Sequence, residues 1–388
     1  MHWRRPRRWP ACSASASTVL PSYAADCDRT IVTTPPAPTW AGLLSSLLAG
    51  RDLSGTAAGW AMGEIMAGEA SAAQIAAFAV ALRAKGETVG ELDAFVDVML
   101  SNARPVRMPG PVVDVVGTGG DRAHTVNIST MAALIVAGCG IRVGKHGNRA
   151  ASSACGSADV LEALGVVIDL PPAGVERCIS EAGIGFFFAP VFHPGMRHAA
   201  VARREMGVAT VFNFLGPLTN PGRPVAAAVG CADARMAPLL AGVLASRGVR
   251  AIVFRGDDGL DELTTTTTSS MWLAADGAVV ADTLDPKSFG LSPATTEDLR
   301  GGDAQTNADV VRRLVAGDRG PVRDAVVLNA AAAIVAESAL STASESVGDP
   351  LLDRFARAIE RADKAIEDSS AAVTLDRWIQ VSQGARTG

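Results

Sequence analysis

From Val112 onward the chain alternates short β-branched runs with apolar helical stretches, and this alternation constrains its fold more than any other feature. Val112 to Val116 ends at a glycine turn, and an apolar helix is predicted over Ile128 to Ala137. Ile141 to Val143 reads as the next strand, Ser157 to Leu164 as a helix, and Val166 to Ile168 as a strand. A strand over Val225 to Val229, a helix over Ala237 to Ser246 and a strand over Ala251 to Phe254 follow. Strands separated by helices of this length predict an α/β fold with a mostly parallel central sheet covered on both faces. Leu161 to Val166 and Arg247 to Val249 each read helix, glycine, strand, as expected of αβ connections. Beyond Asp309 the pattern is mostly helical, with Ala330 to Ala336 a buried segment.

Ahead of this region the period is different. Thr39 to about Leu100 reads as several short apolar helices with no strand between them. Ser71 is placed to cap a helix over Ala72 to Lys85, and Gly86 sits where a left-handed C-terminal cap belongs. Thr88 with Glu91 forms a capping-box pattern ahead of Leu92, Phe95, Val96 and Met99. At 388 residues the chain exceeds what one hydrophobic core usually fills, so two domains are expected. The reading is a small helical N-terminal domain over 39–108, with helical returns near 196–215, and a large α/β domain over 109–388. Residues 1–38 differ in composition. Arg4, Arg5, Arg7 and Arg8 precede a Ser/Ala stretch and the segment Thr33 to Pro38. Ala11 to Leu20 is too rich in serine for the apolar centre of a secretory signal, leaving a disordered arm or a start assigned too far upstream.

Composition excludes several classes. A net charge of -5 argues against a protein that coats nucleic acid, and 5% aromatic residues leave few platforms for stacking bases. The six cysteines form no Cys-x-x-Cys pair, which reads as separate reduced thiols in a cytoplasmic protein rather than a zinc site or disulfide framework. No apolar run approaches the roughly 20 residues that span a bilayer. No nucleic-acid and no membrane partner is expected.

Three motifs carry chemistry. Gly117-Thr118-Gly119-Gly120-Asp121 follows the first β-branched run and precedes Asn127-Ile128-Ser129-Thr130. Glycines let backbone N–H groups approach a phosphate, and a helix N-terminus favours negative charge there. The loop lacks the third glycine of a dinucleotide fingerprint, and Gly144-Lys145 is not followed by the Ser or Thr of a Walker loop. By itself such a loop is as often a plain turn; its position after a strand favours phosphate. Lys145-His146-Gly147-Asn148-Arg149 comes just after the predicted second strand, where two cations suit a second anionic group, against the alternative of a solvated loop. Finally, Asp257 to Gly259 reads as a turn, with Asp261 and Glu262 as neighbouring carboxylates at the same sheet rim. Magnesium shared with substrate phosphates reconciles that pair with the two phosphate-type loops; two surface acids is the alternative. Thr264 to Thr268 is either a β-prone run or a hydroxyl-lined loop.

Together the segments GTGGD, NIST (Asn127 to Thr130), KHGNR, NFLGPLTNP (Asn213 to Pro221) and GDDGLDEL (Gly256 to Leu263) resemble the anthranilate phosphoribosyltransferase family. The likeness runs from about Thr39 to the C-terminus. It implies a helical domain joined to an α/β domain, substrates at the hinge, and a homodimer formed through the helical domain. The implied reaction moves phosphoribose from phosphoribosyl diphosphate to the amine of anthranilate, releasing diphosphate, in tryptophan biosynthesis. Carried onto this chain, Gly117, Gly119, Gly120, Asp121, Thr125, Asn127, Ser129, Thr130, Lys145, Gly147 and Ser157 would bind phosphoribosyl diphosphate. Arg203 would take the anthranilate carboxylate, with Gly117, His146, Asn148, Pro190 and His193 lining its pocket. Ser129, Asp261 and Glu262 would hold two magnesium ions.

Two positions depart from the family pattern, both on the acceptor side. Ala209 stands where many members have arginine, and Met196 where some have tyrosine. The resemblance implies no protein nucleophile, and no general base is assigned. The rival readings are a nucleoside phosphorylase of the same fold and a noncatalytic relative that binds nucleic acid. The first is disfavoured by GTGGD followed by KHGNR, the second by the charge balance.

Overall fold

The structure is a computed structural model, and it describes residues 37–150, 154–338 and 349–386. Apart from Ala37 and Pro38, the leading arm predicted from the sequence lies outside the described residues. The first part is helical: α1 (Trp40–Leu48), α2 (Gly55–Ala67), α3 (Ala72–Lys85) and α4 (Val89–Ser101). Each begins at a hydroxyl cap, Thr39, Ser54, Ser71 and Thr88 respectively, whose oxygen accepts an otherwise orphaned N–H of the first turn. Ser71 with Gln74 and Thr88 with Glu91 complete capping boxes. Gly86 has a positive φ of 93° but a ψ of 127°, so it ends α3 by leading the chain away rather than by a left-handed cap. Glu91 is fully buried and holds the helices together, accepting from Leu53 N at 2.8 Å, Thr88 N at 2.9 Å and Lys85 Nζ at 3.0 Å.

The remaining helices are α5 (Ile128–Gly138), α6 (Ser157–Leu164), α7 (Pro172–Ala182), α8 (Ala189–Phe192), α9 (Ala200–Met206), α10 (Ala237–Ser246), α11 (Ala304–Val315), α12 (Pro321–Ser338), α13 (Leu351–Glu367) and α14 (Ser370–Arg386). They surround a 7-stranded sheet of β1 (Val113–Gly117), β2 (Val143–Gly147), β3 (Ile184–Phe188), β4 (Ala226–Gly230), β5 (Arg250–Gly256), β6 (Ser269–Ala275) and β7 (Ala278–Leu284). The order is β3-β2-β1-β4-β5-β6-β7, parallel through β5 and antiparallel at β6 and β7. The chain winds outward from β1 to β3, then returns to place β4 on the other side of β1. That reversal opens a crevice at the carboxyl ends of β1 and β4, where ligands of open α/β sheets bind. One buried apolar cluster packs α5, α7, α12, α13 and α14 on one sheet face, and a second joins α1 to α4 and α10 on the other.

Two expectations change. Val166 to Ile168 is not a strand: Val166 and Ile168 are buried, but Val167 N donates to Ser382 Oγ of α14 at 3.1 Å instead of joining the sheet. The third strand is the later Ile184–Phe188, wholly buried. The second strand begins at Val143 and runs through Gly147, so Lys145 and His146 belong to the strand and not to the loop after it. Polar residues at a strand's end read as loop in sequence, yet both are buried and hydrogen-bonded. The hairpin of β6 and β7 turns at Asp276 and Gly277, both at positive φ, an Asp-Gly turn signal that the sequence did carry. Thr264 to Thr268 is a loop.

Candidate active site

The glycine loop leaves β1 at the crevice. Glycine is needed at 117, where a Cβ would lie 2.3 Å from Asp261 Oδ2. Gly119 and Gly120 have φ of 66° and 89°, and Gly119 N donates to Asp261 Oδ2 at 2.7 Å. Asp121 closes the turn by accepting from Ala123 N at 3.1 Å. Thr125 then bridges Arg300, and α5 starts with Asn127, Ser129 and Thr130 in or beside its first turn. Thr130 Oγ1 is buried without a partner. Asn127 does not cap the helix; its Nδ2 donates to Cys155 O at 3.0 Å and its Oδ1 accepts from Asn307 at 2.9 Å.

Lys145 projects from β2 toward this turn, fully buried, with Nζ 3.2 Å from Ser129 Oγ. Burial lowers its pKa to about 8, opposed by the charges of Asp114, Glu262 and Asp261. Asp114 in β1 was not singled out by the sequence reading. It is wholly buried, accepts from His146 N at 3.1 Å and from Asn220 Nδ2 at 2.7 Å, and burial raises its pKa to about 6. Arg149 lines the cleft as well, with its guanidinium paired to Asp159 at 2.8 Å and Glu162 at 2.9 Å. Gly147 lets Ser157 approach, since a Cβ there would lie 2.4 Å from Ser157 Oγ. Ser157 and Asn148 are joined through Ser157 Oγ donating to Asn148 O at 3.2 Å.

Asp261 and Glu262 follow β5 after the Asp257–Gly259 turn, each 8% exposed. Burial, then the charge of Asp121, raises Asp261 to about 7; burial, then Asp261, raises Glu262 well above its usual range. The pair is thus short of positive charge. Among the described residues no group of three or more His, Cys, Asp or Glu forms a ready-made metal cage. Two buried carboxylates with the nearby Ser129 hydroxyl are hard oxygen donors, a set that fits magnesium completed by phosphate oxygens and water.

These groups line one cleft of about 690 Å³, whose other wall comes from helical elements. Arg203 of α9 lies in that wall, its pKa lowered by burial, with no carboxylate paired to it among the described residues. Pro190, His193, His146 and Asn148 line the same cleft. His146 Nδ1 lies 2.9 Å from Gly216 O and His193 Nε2 lies 2.7 Å from Thr219 O. Carbonyls only accept, so both ring nitrogens carry protons there. Burial, then His193, lowers His146 to about 3, which keeps it neutral. Met196 lines the cleft, whereas Ala209 is exposed and outside it. His124, Met99, Phe212 and Asn213 also line it and were not read as site residues. Asn213 had a signal, as the first residue of the NFLGPLTNP segment; Met99, on α4, had none.

Residues 41–103 match the glycosyl transferase family, helical bundle domain, and residues 109–371 match the glycosyl transferase family, a/b domain. The anthranilate phosphoribosyltransferase of Acidothermus cellulolyticus is 61% identical over 349 residues, covering 90% of this chain and 97% of that protein. The crystal structure of anthranilate phosphoribosyltransferase from Thermus thermophilus superposes with a TM-score of 0.80 at 40% identity, over 88% of this chain and 99% of that one. The Saccharomyces cerevisiae enzyme in complex with PRPP and Mg superposes with a TM-score of 0.78 at 25% identity, over 89% of this chain and 98% of that one. A further structure of the yeast enzyme contains 4-fluoroanthranilate. Sequence and fold agree, and the chain belongs to the anthranilate phosphoribosyltransferase family.

Proposed function

We propose that the cleft transfers phosphoribose from phosphoribosyl diphosphate to the amine of anthranilate, releasing diphosphate, as a pentosyltransferase of tryptophan biosynthesis. The observation that carries this reading is the arrangement of one cleft with a carboxylate pair and phosphate-type loop on its sheet side and, on its helical side, an arginine with no carboxylate partner among the described residues. The first set suits a metal-bound polyphosphate, the second a small carboxylate.

In this reading Gly117, Gly119, Gly120 and Asp121, with Thr125, Asn127, Ser129, Thr130, Lys145, Gly147 and Ser157, hold the donor. Backbone N–H groups of the loop and the Lys145 ammonium face charge that grows on the leaving diphosphate as the ribose becomes oxocarbenium-like. Asp261, Glu262 and Ser129 hold magnesium, two ions in this assignment, which when bound neutralises phosphate charge. The yeast complex with PRPP and Mg supports donor and metal. Arg203 fixes the anthranilate carboxylate, and Gly117, Pro190, His193, His146 and Asn148 shape the pocket that turns its amine toward the ribose. This is catalysis by orientation. An aromatic amine is neutral near pH 7, so no general base is assigned.

We also propose that residues 39–108 with the helical returns near 196–215 act as a small domain against an α/β domain over 109–388. In support, α2 packs on the turn Pro194–Ala199 and α3 packs on α9. A homodimer through the helical elements completes the reading. Leu48, Val80 and Val201, on α1, α3 and α9, are among the large apolar side chains left exposed. Among the described residues no helix is long and apolar enough to cross a membrane.

Anthranilate fluorescence tests the function directly. Signal is expected to fall only when protein, phosphoribosyl diphosphate and magnesium are all present. Folded protein that leaves the signal unchanged would overturn the assignment and direct attention to nucleosides plus phosphate.

A further inference from the structure

Two neighbouring carboxylates that repel each other in a buried crevice must be held there by their backbone. Toward the sheet, the support is close approach. A Cβ on Gly230, at the end of β4, would lie 1.6 Å from Asp261 O, so only glycine lets the acidic loop settle onto the strand end. Away from the sheet the support is one side chain. Asn329 Oδ1 accepts from Leu263 N at 3.0 Å, and Asn329 Nδ2 donates to Leu263 O at 2.8 Å. The amide thus satisfies both backbone groups of the residue that follows Glu262, much as a neighbouring strand would. Its second N–H bond goes to Ala325 O at 2.9 Å, within its own helix.

The setting makes this amide conspicuous. Asn329 is fully buried in α12, where every residue from 325 to 336 is buried and the rest are Ala, Val, Leu or Ile. A primary amide in apolar surroundings costs free energy unless its bonds are made. Here they are made to the acidic loop and to α12 itself, across a separation of 66 residues in the case of Leu263.

We infer that Asn329 is a positioning residue for the Asp261–Glu262 pair, fixing the carboxylates from behind by holding Leu263 while the Asp261 carbonyl rests on Gly230. This rests on the reading of that pair as the metal-holding group. It predicts that loss of the clamp harms metal and donor handling while leaving the acceptor pocket, which Asn329 does not touch, as it was.

The test uses the full chain with Asn329→Leu, a variant of the same branched shape that removes both bonds to Leu263, and Asn329→Ser, a smaller polar variant for the case that the first does not fold. Folding is checked by circular dichroism and thermal melting. Mn2+ binding in the presence of phosphoribosyl diphosphate is read by electron paramagnetic resonance, independently of turnover. Supporting residues behind metal ligands typically contribute ten- to hundredfold, so Mn2+ affinity is expected to fall by about ten- to hundredfold, with the KM for anthranilate within about twofold of wild type. A folded variant that melts at lower temperature but binds Mn2+ like wild type would show Asn329 to be a core residue only, and would overturn the inference. The double variant Asp261→Asn, Glu262→Gln is measured beside it. If it too binds Mn2+ normally, the metal reading itself fails; if it does not, a normal Asn329 variant refutes the clamp alone.

Discussion

Lys145 links three elements of the cleft: from β2 its ammonium lies 3.2 Å from Ser129 Oγ at the start of α5 and donates to Val115 O in β1. A buried ammonium beside a phosphate-type loop is available for one charge-assisted contact, worth about 1.5–3 kcal/mol. Lys145→Met is therefore expected to raise the KM for phosphoribosyl diphosphate by roughly ten- to hundredfold, with the KM for anthranilate unchanged. Steady-state kinetics decides this, and a defect confined to anthranilate would move Lys145 to the other side of the cleft.

Arg203 makes the opposite prediction. Its charge has no carboxylate partner among the described residues and is partly withdrawn from water. Arg203→Leu should weaken anthranilate binding by about ten- to hundredfold, the usual effect of losing a charged hydrogen bond, and leave donor binding intact. The free protein should melt no lower than wild type, because an unpaired, desolvated charge has been removed. A large drop in melting temperature would mean that Arg203 is structural.

The pH dependence of stability follows from two buried groups, the His146 imidazole and the Asp114 carboxylate, which accepts from the His146 backbone N–H. His146 is held near 3, against an ordinary value of 6.5. Above pH 6.5 it is neutral folded or unfolded and contributes nothing. Below that, the unfolded chain takes up a proton the folded one refuses, so stability falls with pH. Asp114, held near 6 against 3.8, works the other way between those values, because the folded chain keeps its proton longer. The two largely cancel between about pH 4 and 6. His146→Gln removes one side of the balance. Its stability relative to wild type should rise by up to about 2 kcal/mol between pH 7 and pH 5, measured by chemical denaturation at both. An unchanged difference would show that His146 is protonated in the fold.

These contacts also mark where sequence reasoning stopped. The glycine loop was legible through its place directly after a β-branched run, and Asp261 and Glu262 through the two phosphate-type loops at the same sheet rim; each alone reads as a plain turn or a pair of surface acids. Asp114, Gly230 and Asn329 were not legible. Each looks ordinary in its local stretch, and their importance arises from partners far along the chain, as with Asp114 and Asn220, 106 positions apart. The extent of β2 differs from the sequence reading for a related reason. Lys145 and His146 look like loop residues until the cleft that buries them has formed. Val166 to Ile168 erred in the other direction, since a β-branched run can be buried by helices as well as by a sheet.

Association is predicted from the helical elements. Val80 on α3 is 48% exposed and Leu48 at the end of α1 is 80% exposed. The double variant Leu48→Glu, Val80→Glu should convert the proposed dimer to monomer at micromolar concentration, read by light scattering, since unpaired carboxylates would be buried at the interface. A wild-type chain that is monomeric under the same conditions would refute the assembly outright.

The carboxylate pair combines stability and turnover in one experiment. Asp261 and Glu262 are buried side by side, and burial together with neighbouring negative charge disfavours their ionised forms. Asp261→Asn with Glu262→Gln keeps the shape and preserves an acceptor for Gly119 N, but removes the repulsion. The free protein should therefore be at least as stable as wild type, by up to about 1–4 kcal/mol in chemical denaturation, as when other buried charges are replaced. Magnesium with phosphoribosyl diphosphate should raise the melting temperature of wild type through linkage, and that rise should disappear in the double variant. Turnover should fall by at least about a hundredfold, because stabilisation of the leaving diphosphate is lost. A double variant that is destabilised, or that still gains stability from magnesium and donor, would show that the pair serves the fold rather than the metal.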